Sequence, residues 1–255
     1  MQSQKGNIYF ASDFHLGIPD LAASHERERR IVRWMDSILP DAKELYLVGD
    51  LFDAWFEYKR VVPKGFVRLL AKIAEFTDKG IPVYVFSGNH DTWMFNYLKE
   101  ECGAEIHHEP VRREWNGKKF IIGHGDGLGP GDRGYKFIKS IFRNRFAQWL
   151  YARVHPNAGI WLAQFFSGKG YEKKESQKQY NGDDKEFLVQ FCRKVLANEH
   201  IDYFIFGHRH LPLDLRVGEN SRYINLGDWL KYYSYAVFDG EKVELKTFEE
   251  QPGKS

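Results

Sequence analysis

Residues 7–17 read NIYFASDFHLG. The run Ile8-Tyr9-Phe10-Ala11 has no polar face, as expected of a short strand covered on both sides. It stops almost at once in a polar stretch carrying Asp13 and His15. Residues 44–50 (ELYLVGD) and 82–91 (PVYVFSGNHD) repeat the design, an apolar run followed by Asp50 in one case and by Asn89, His90 and Asp91 in the other. Residues 25–39, between the first two runs, place Ile31, Trp34, Met35 and Ile38 at helical spacing. Residues 63–80, between the second and third, do the same with Phe66, Leu69, Leu70 and Ile73, with Pro63 at the start and Gly80 at the end. Strand, helix, strand, helix, strand implies parallel pairing and an α/β fold.

Outward from this core, residues 111–127 (VRREWNGKKFIIGHGDG) read as a hairpin turning at Asn116-Gly117. Residues 184–199 form a helix leading into the buried strand of residues 202–208, DYFIFGH. The last third alternates at period two and reads as a strand meander. Residues 131–182 break the rhythm. Phe137, Ile138, Ile141, Phe142, Phe146, Trp149 and Leu150 recur at helical spacing, and GIWLAQFFS follows. This is either a core-packing helical pair or a helical cap holding something apolar above the site.

The chain has 255 residues and is 43% hydrophobic, enough for one domain of residues 1–255 with the 131–182 insertion inside it. Cys102 and Cys192 are far apart and form no CxxC pair, so packed thiols in a reducing compartment are expected. The N-terminus shows neither a signal peptide nor any apolar run approaching the ~20 residues of a membrane span. The net charge is +2, but residues 131–180 hold ten Lys or Arg against three acids, leaving the rest net acidic. An anionic substrate or surface would meet that segment. Nucleic acid is not expected, because no long basic stripe interleaved with aromatics lies outside it.

Alone, DxH or Gly-Asp is weak, and a lone histidine is more often a packed core residue than a ligand. Here Asp13 and His15, Asp50, Asn89, His124, and the pair His208 and His210 all close apolar runs that read as strands. In a strand, residues two apart point the same way, so Asp13 with His15, and His208 with His210, could each serve one metal. This oxygen and nitrogen set without thiolate suits manganese, iron or zinc. Asp50 is the remaining strand-end carboxylate and the natural bridge. Two metals about 3.5–4 Å apart could hold a bridging hydroxide that attacks a phosphoryl group.

The series DFHLG, GDLFD, GNHD, GHGD and GHRH resembles the calcineurin-like metallophosphoesterases over almost the whole chain. The resemblance implies a β-sandwich of two mixed sheets flanked by helices. It implies Asp13, His15, Asp50 and His210 on one metal, and Asp50, Asn89, His124 and His208 on the other. His90, paired with Asp91, would sit over the substrate phosphate as acid or electrostatic stabiliser. GDLFDAWF, GHGDGLGPGD and the helical insertion look in particular like the UDP-2,3-diacylglucosamine hydrolase family, which makes lipid X and UMP with a manganese pair and a helical cap for acyl chains. That implies a nucleotide-lipid substrate and a cytoplasmic enzyme whose basic aromatic cap meets the inner membrane. Asn89, His90 and His208 would touch the substrate, Asp132 the glucosamine, and Ser167, Lys169 and Lys174 are further cap contacts. The third motif departs from that family, carrying His90 where Arg is usual. Three other readings stay open: a phosphodiesterase or pyrophosphatase for another nucleotide or lipid, a nuclease of the same fold, and a silent binding module. Loss of ligands would mark the last, and every ligand position is filled.

Overall fold

The computed structural model describes residues 6–130, 133–175, 180 and 182–249. In chain order the first half comprises β1 (Asn7–Ala11), α1 (Leu21–Ile38), β2 (Ala42–Val48), α2 (Val67–Asp78), β3 (Val83–Phe86), α3 (Tyr97–Cys102), β4 (Glu105–His107), β5 (Val111–Trp115) and β6 (Lys118–Gly123). The insertion supplies α4 (Arg133–Phe142), α5 (Arg145–Tyr151) and α6 (Pro156–Glu175). The chain ends with α7 (Phe187–Leu196), β7 (Tyr203–Phe206), β8 (Pro212–Arg216), β9 (Arg222–Leu226), β10 (Ser234–Phe238) and β11 (Val243–Thr247).

The strands form two mixed sheets, ordered β11-β10-β1-β2-β3-β4 and β5-β6-β7-β9-β8. Neighbours among β1 to β4 run parallel, as do β6, β7 and β9. The pleat explains why β1 reads as a continuous apolar run. Ile8 and Phe10 face Tyr46, Phe120, Ile205 and Ile224 between the sheets. Tyr9 and Ala11 face the opposite layer of Ile31, Trp34, Met35, Leu69 and Ile73 on α1 and α2. Helix α7 covers the outer face of the second sheet through Leu188, Val189 and Cys192. Cys102 and Cys192 are both buried free thiols. Among the described residues no helix is long and apolar enough to cross a membrane.

Several elements differ from the sequence expectation. The final strands are no meander: β8 pairs with β9 in one sheet, β10 with β11 in the other. Period-two alternation reports a covered face but not which sheet supplies the cover. Helix α2 starts at Val67, not near Pro63, because the buried Glu28 carboxylate of α1 accepts from the amides of Arg68 and Leu69. That carboxylate takes orphan donors of the first turn that no local cap reaches. The short α3 and β4 carried no periodic signal. The turn at Asn116-Gly117 is as expected, with φ of 51° and 75°.

Candidate metal centre

The parallel strands put their C-terminal ends on one rim. Asp13 and His15 follow β1, Asp50 follows β2, and Asn89 and His90 follow β3. His124 follows β6, and His208 and His210 follow β7 of the second sheet. Across the sheets His210 Nε2 lies 3.4 Å from Asp13 Oδ1 and 3.2 Å from His15 Nε2. Asp13, His15, Asp50 and His210 are all buried, and each offers a ligand atom within 4.8 Å of the others. Asp50 Oδ2 sits 3.6 Å from His15 Nε2 and 3.2 Å from His124 Nε2. On the far side of Asp50, Asn89 Oδ1 is 2.8 Å from His208 Nδ1, and the His124 and His208 rings are 5.3 Å apart.

The strand pleat expected to pair Asp13 with His15, and His208 with His210, is not what pairs them. All four residues lie beyond the strands in left-handed backbone, with φ of 57°, 44°, 68° and 50°, and Asp50 joins them at 52°. Asp and His tolerate this region better than bulky residues, yet each such residue still costs on the order of 1–3 kcal/mol. Strain concentrated on these five positions marks a site held by its surroundings. The motif glycines allow it. A Cβ on Gly88 would overlap Asp50 Oδ1, and one on Gly207 would lie 2.5 Å from both Asp13 Oδ2 and Ser12 Oγ.

A second layer orients the ligands. Ser12 Oγ and the His208 amide donate to Asp13 Oδ2, leaving Oδ1 to face the centre. His124 Nδ1 is 2.9 Å from the Val48 carbonyl, which turns Nε2 toward Asp50. His210 Nδ1 lies 3.4 Å from Asp228 Oδ2. Arg27 of α1 donates to the His15 carbonyl. Reading the sequence missed Asp228, although Gly227-Asp228 closes β9 as Gly49-Asp50 closes β2.

The electrostatics demand positive charge. Burial works against a charged His15 or His124 ring, but Asp13 and Asp53 beside His15, and Asp50 beside His124, raise them to about 9 and about 10. Burial would likewise raise Asp13, yet the His210 and His15 rings outweigh it and hold its carboxyl below the ordinary range. Asp13 Oδ1, Asp50 Oδ2 and His124 Nε2 are buried without any hydrogen bond to a protein group. Such atoms are costly unless a cation meets them. The buried His/Asp cluster therefore fits a divalent metal.

His90 does not pair with Asp91. Asp91 is fully buried and accepts from the amides of Gly88 and Leu51, and burial next to Asp50 raises its carboxyl to about 6. The carboxylate beside His90 Nδ1 is that of Asp53, at 3.3 Å. Asp53 is the last residue of GDLFD, so the sequence carries this carboxylate in a motif, but 37 residues away from His90. Of the substrate contacts expected in the insertion, Ser167 reaches the site, donating to Asp53 Oδ1 at 2.5 Å. Lys169 and Lys174 fall on α6 with side chains outside the described set, and Asp132 lies outside the described residues.

Residues 6–212 match the family model of the calcineurin-like phosphoesterases. The chain is a calcineurin-like phosphoesterase. A UDP-2,3-diacylglucosamine hydrolase from Porphyromonas gingivalis is 40% identical over 259 residues, covering 96% of this chain and 99% of that one. A protein of the same description from Shewanella pealeana is 27% identical over 92% of this chain and 95% of that one. Among solved structures, a phosphoesterase from E. coli aligns over 94% of this phosphoesterase and 92% of its own chain, with a TM-score of 0.48 and 15% identity.

Proposed function

We propose that this phosphoesterase hydrolyses the diphosphate of UDP-2,3-diacylglucosamine to lipid X and UMP with two divalent metals, manganese being the best fit. The observation that carries the substrate is the 40% identity to the Porphyromonas gingivalis hydrolase over nearly the full length of both chains. Asp13, His15, Asp50 and His210 would hold one metal, and Asp50, Asn89, His124 and His208 the other. The position of Asp50 Oδ2 between His15 and His124 supports its role as the bridge. When bound, such a pair supplies an acidified water and charge neutralisation at the phosphoryl oxygens.

The remaining work falls to protein groups. Asp53 holds the His90 ring by Nδ1, aiming Nε2 at the phosphoryl or leaving oxygen, to which the ring donates once it is doubly protonated. His90 stands where Arg is usual in the related hydrolases, so here a titratable group replaces a fixed cation. Asp91 acts on backbone, keeping the 88–91 turn over Asp50. Residues 131–182 form a cap within the single domain. Its acyl-binding part is α6, whose Ile160, Trp161 and Gln164 line a cavity of about 650 Å³ with Leu16, Ala54 and Phe66. The aromatic stripe expected to hold the acyl chains faces outward instead: Phe137, Ile141, Phe146, Trp149 and Leu150 are exposed. Among the described side chains of the stripe, Phe142 packs inward, against Trp93. With Arg143, Arg145 and Arg153 around it, the outward stripe suits the cytoplasmic face of the inner membrane, where a diacyl substrate resides.

The deciding experiment is mass-spectrometric detection of UMP released from UDP-2,3-diacylglucosamine in the presence of manganese. Hydrolysis of bis-p-nitrophenyl phosphate without UMP release would leave the phosphoesterase chemistry standing and assign another nucleotide or lipid substrate.

A further inference from the structure

Ser167 touches two groups at once. Its Oγ is 2.5 Å from Asp53 Oδ1 and 3.1 Å from His90 Nδ1. A hydroxyl has one proton, and an ionised carboxylate can only accept. The shorter contact is the one to the Asp53 carboxylate, so the Ser167 proton goes to Asp53. What Ser167 then offers His90 is a lone pair. The other neighbours of His90 Nδ1 are acceptors too, the Asp53 carbonyl and carboxylate, both at 3.3 Å. Three acceptors around one ring nitrogen require that nitrogen to carry the proton.

Ser167 also belongs to the face of α6 that lines the apolar cavity. Ile160, Gln164 and Ser167 are spaced i, i+4 and i+7, which places them on one side of a helix. Ile160 and Gln164 border the cavity, whose opposite wall includes Leu16 and Ala54, next in sequence to His15 and Asp53. The helix that would meet the apolar part of a substrate thus carries the hydroxyl that organises His90.

We propose that Ser167 is a positioning residue: it locks His90 in the Nδ1–H tautomer against Asp53 and ties that geometry to the seating of α6. The assignment rests on His90 acting in phosphoryl chemistry, and it replaces the role of Ser167 as a direct substrate contact. With Ser167→Ala, kcat should fall about tenfold, less than the 10²–10⁴ expected for loss of a positioned acid or base itself. The fall should be similar on UDP-2,3-diacylglucosamine and on bis-p-nitrophenyl phosphate, with KM little changed. Ser167→Thr, which keeps the hydroxyl, should restore most of the rate. In a His90→Ala background Ser167→Ala should add almost nothing, because its effect passes through the ring. Independently of turnover, NMR of the zinc-loaded protein should show the proton on His90 Nδ1 exchanging with solvent slowly in the parent and about tenfold faster in Ser167→Ala. A loss confined to KM for the diacyl substrate would overturn the proposal, as would an undiminished tenfold loss in the His90→Ala background. If the parent enzyme cleaves neither substrate, the functional reading fails. The NMR result then decides the Ser167 assignment alone, and an unchanged exchange rate of the His90 Nδ1 proton refutes it.

Discussion

Replacing Gly207 with Ala tests whether the loop glycines exist to let the metal ligands approach. A Cβ there would lie 2.5 Å from Asp13 Oδ2 and Ser12 Oγ, and 2.9 Å from Ser12 Cβ. Ordinary contact needs well over 3 Å, so these atoms must retreat by roughly half an ångström or more, against a packed interior that resists it. The displaced oxygen is the one that accepts from Ser12 Oγ at 2.6 Å and the His208 amide at 3.0 Å. Overpacking of this kind costs about 1–3 kcal/mol, and each weakened bond to the carboxylate adds up to about 1.5–3 kcal/mol. The expected result is a chain that still folds, with Tm lowered and Asp13 Oδ1 turned away from the centre. Gly80→Ala is the control. Gly80 has φ of 76° and nothing within 4 Å of its would-be Cβ, so Ala there costs about 1–2 kcal/mol of backbone strain and no packing. Calorimetric manganese titration and thermal unfolding of both variants separate the effects. Both should lose stability, but only Gly207→Ala should lose manganese affinity, by at least tenfold. Parental affinity in Gly207→Ala would refute the claim that close approach to Asp13 is what the glycine provides.

Asp50→Ala should be the most damaging ligand change, because its Oδ2 lies against both His15 and His124; elemental analysis should find both metals lost, and retention of either would remove Asp50 as the bridge. His90→Ala should cut turnover 10²–10⁴-fold with metal content unchanged; stoichiometric metal loss would make His90 a ligand instead. Replacing exposed Phe146 and Trp149 by Ser should weaken sedimentation with anionic vesicles by at least tenfold while leaving bis-p-nitrophenyl phosphate hydrolysis intact, and equal losses in both assays would make the stripe a structural element. In Asp228→Asn the His210 ring loses its charged partner at 3.4 Å, so metal affinity should fall about 10–100-fold; unchanged affinity would show that the Leu230, Lys231 and Tyr232 amides are the only business of Asp228.

The strands and their chemistry were legible along the chain because both signals are local. A buried parallel strand reads as an apolar run, and its C-terminal loop is the place where an α/β sheet presents polar residues. Hence Asp13, His15, Asp50, Asn89, His124, His208 and His210 could be chosen from spacing and residue type before their proximity was known. The tertiary structure decided what depends on atoms distant in sequence. It set Asp53 rather than Asp91 beside His90, because the Asp91 carboxylate is consumed by the amides of Gly88 and Leu51. It brought Ser167 across 77 residues to the same ring. It revealed that left-handed backbone, not a strand pleat, aims both residue pairs, a conformation that neighbouring packing imposes and no propensity predicts. It also turned the aromatic stripe outward: helical spacing puts Phe137 and Ile141 on one face of α4, and Phe146, Trp149 and Leu150 on one face of α5, but only the packing of those helices determines whether such a face meets the core or the solvent.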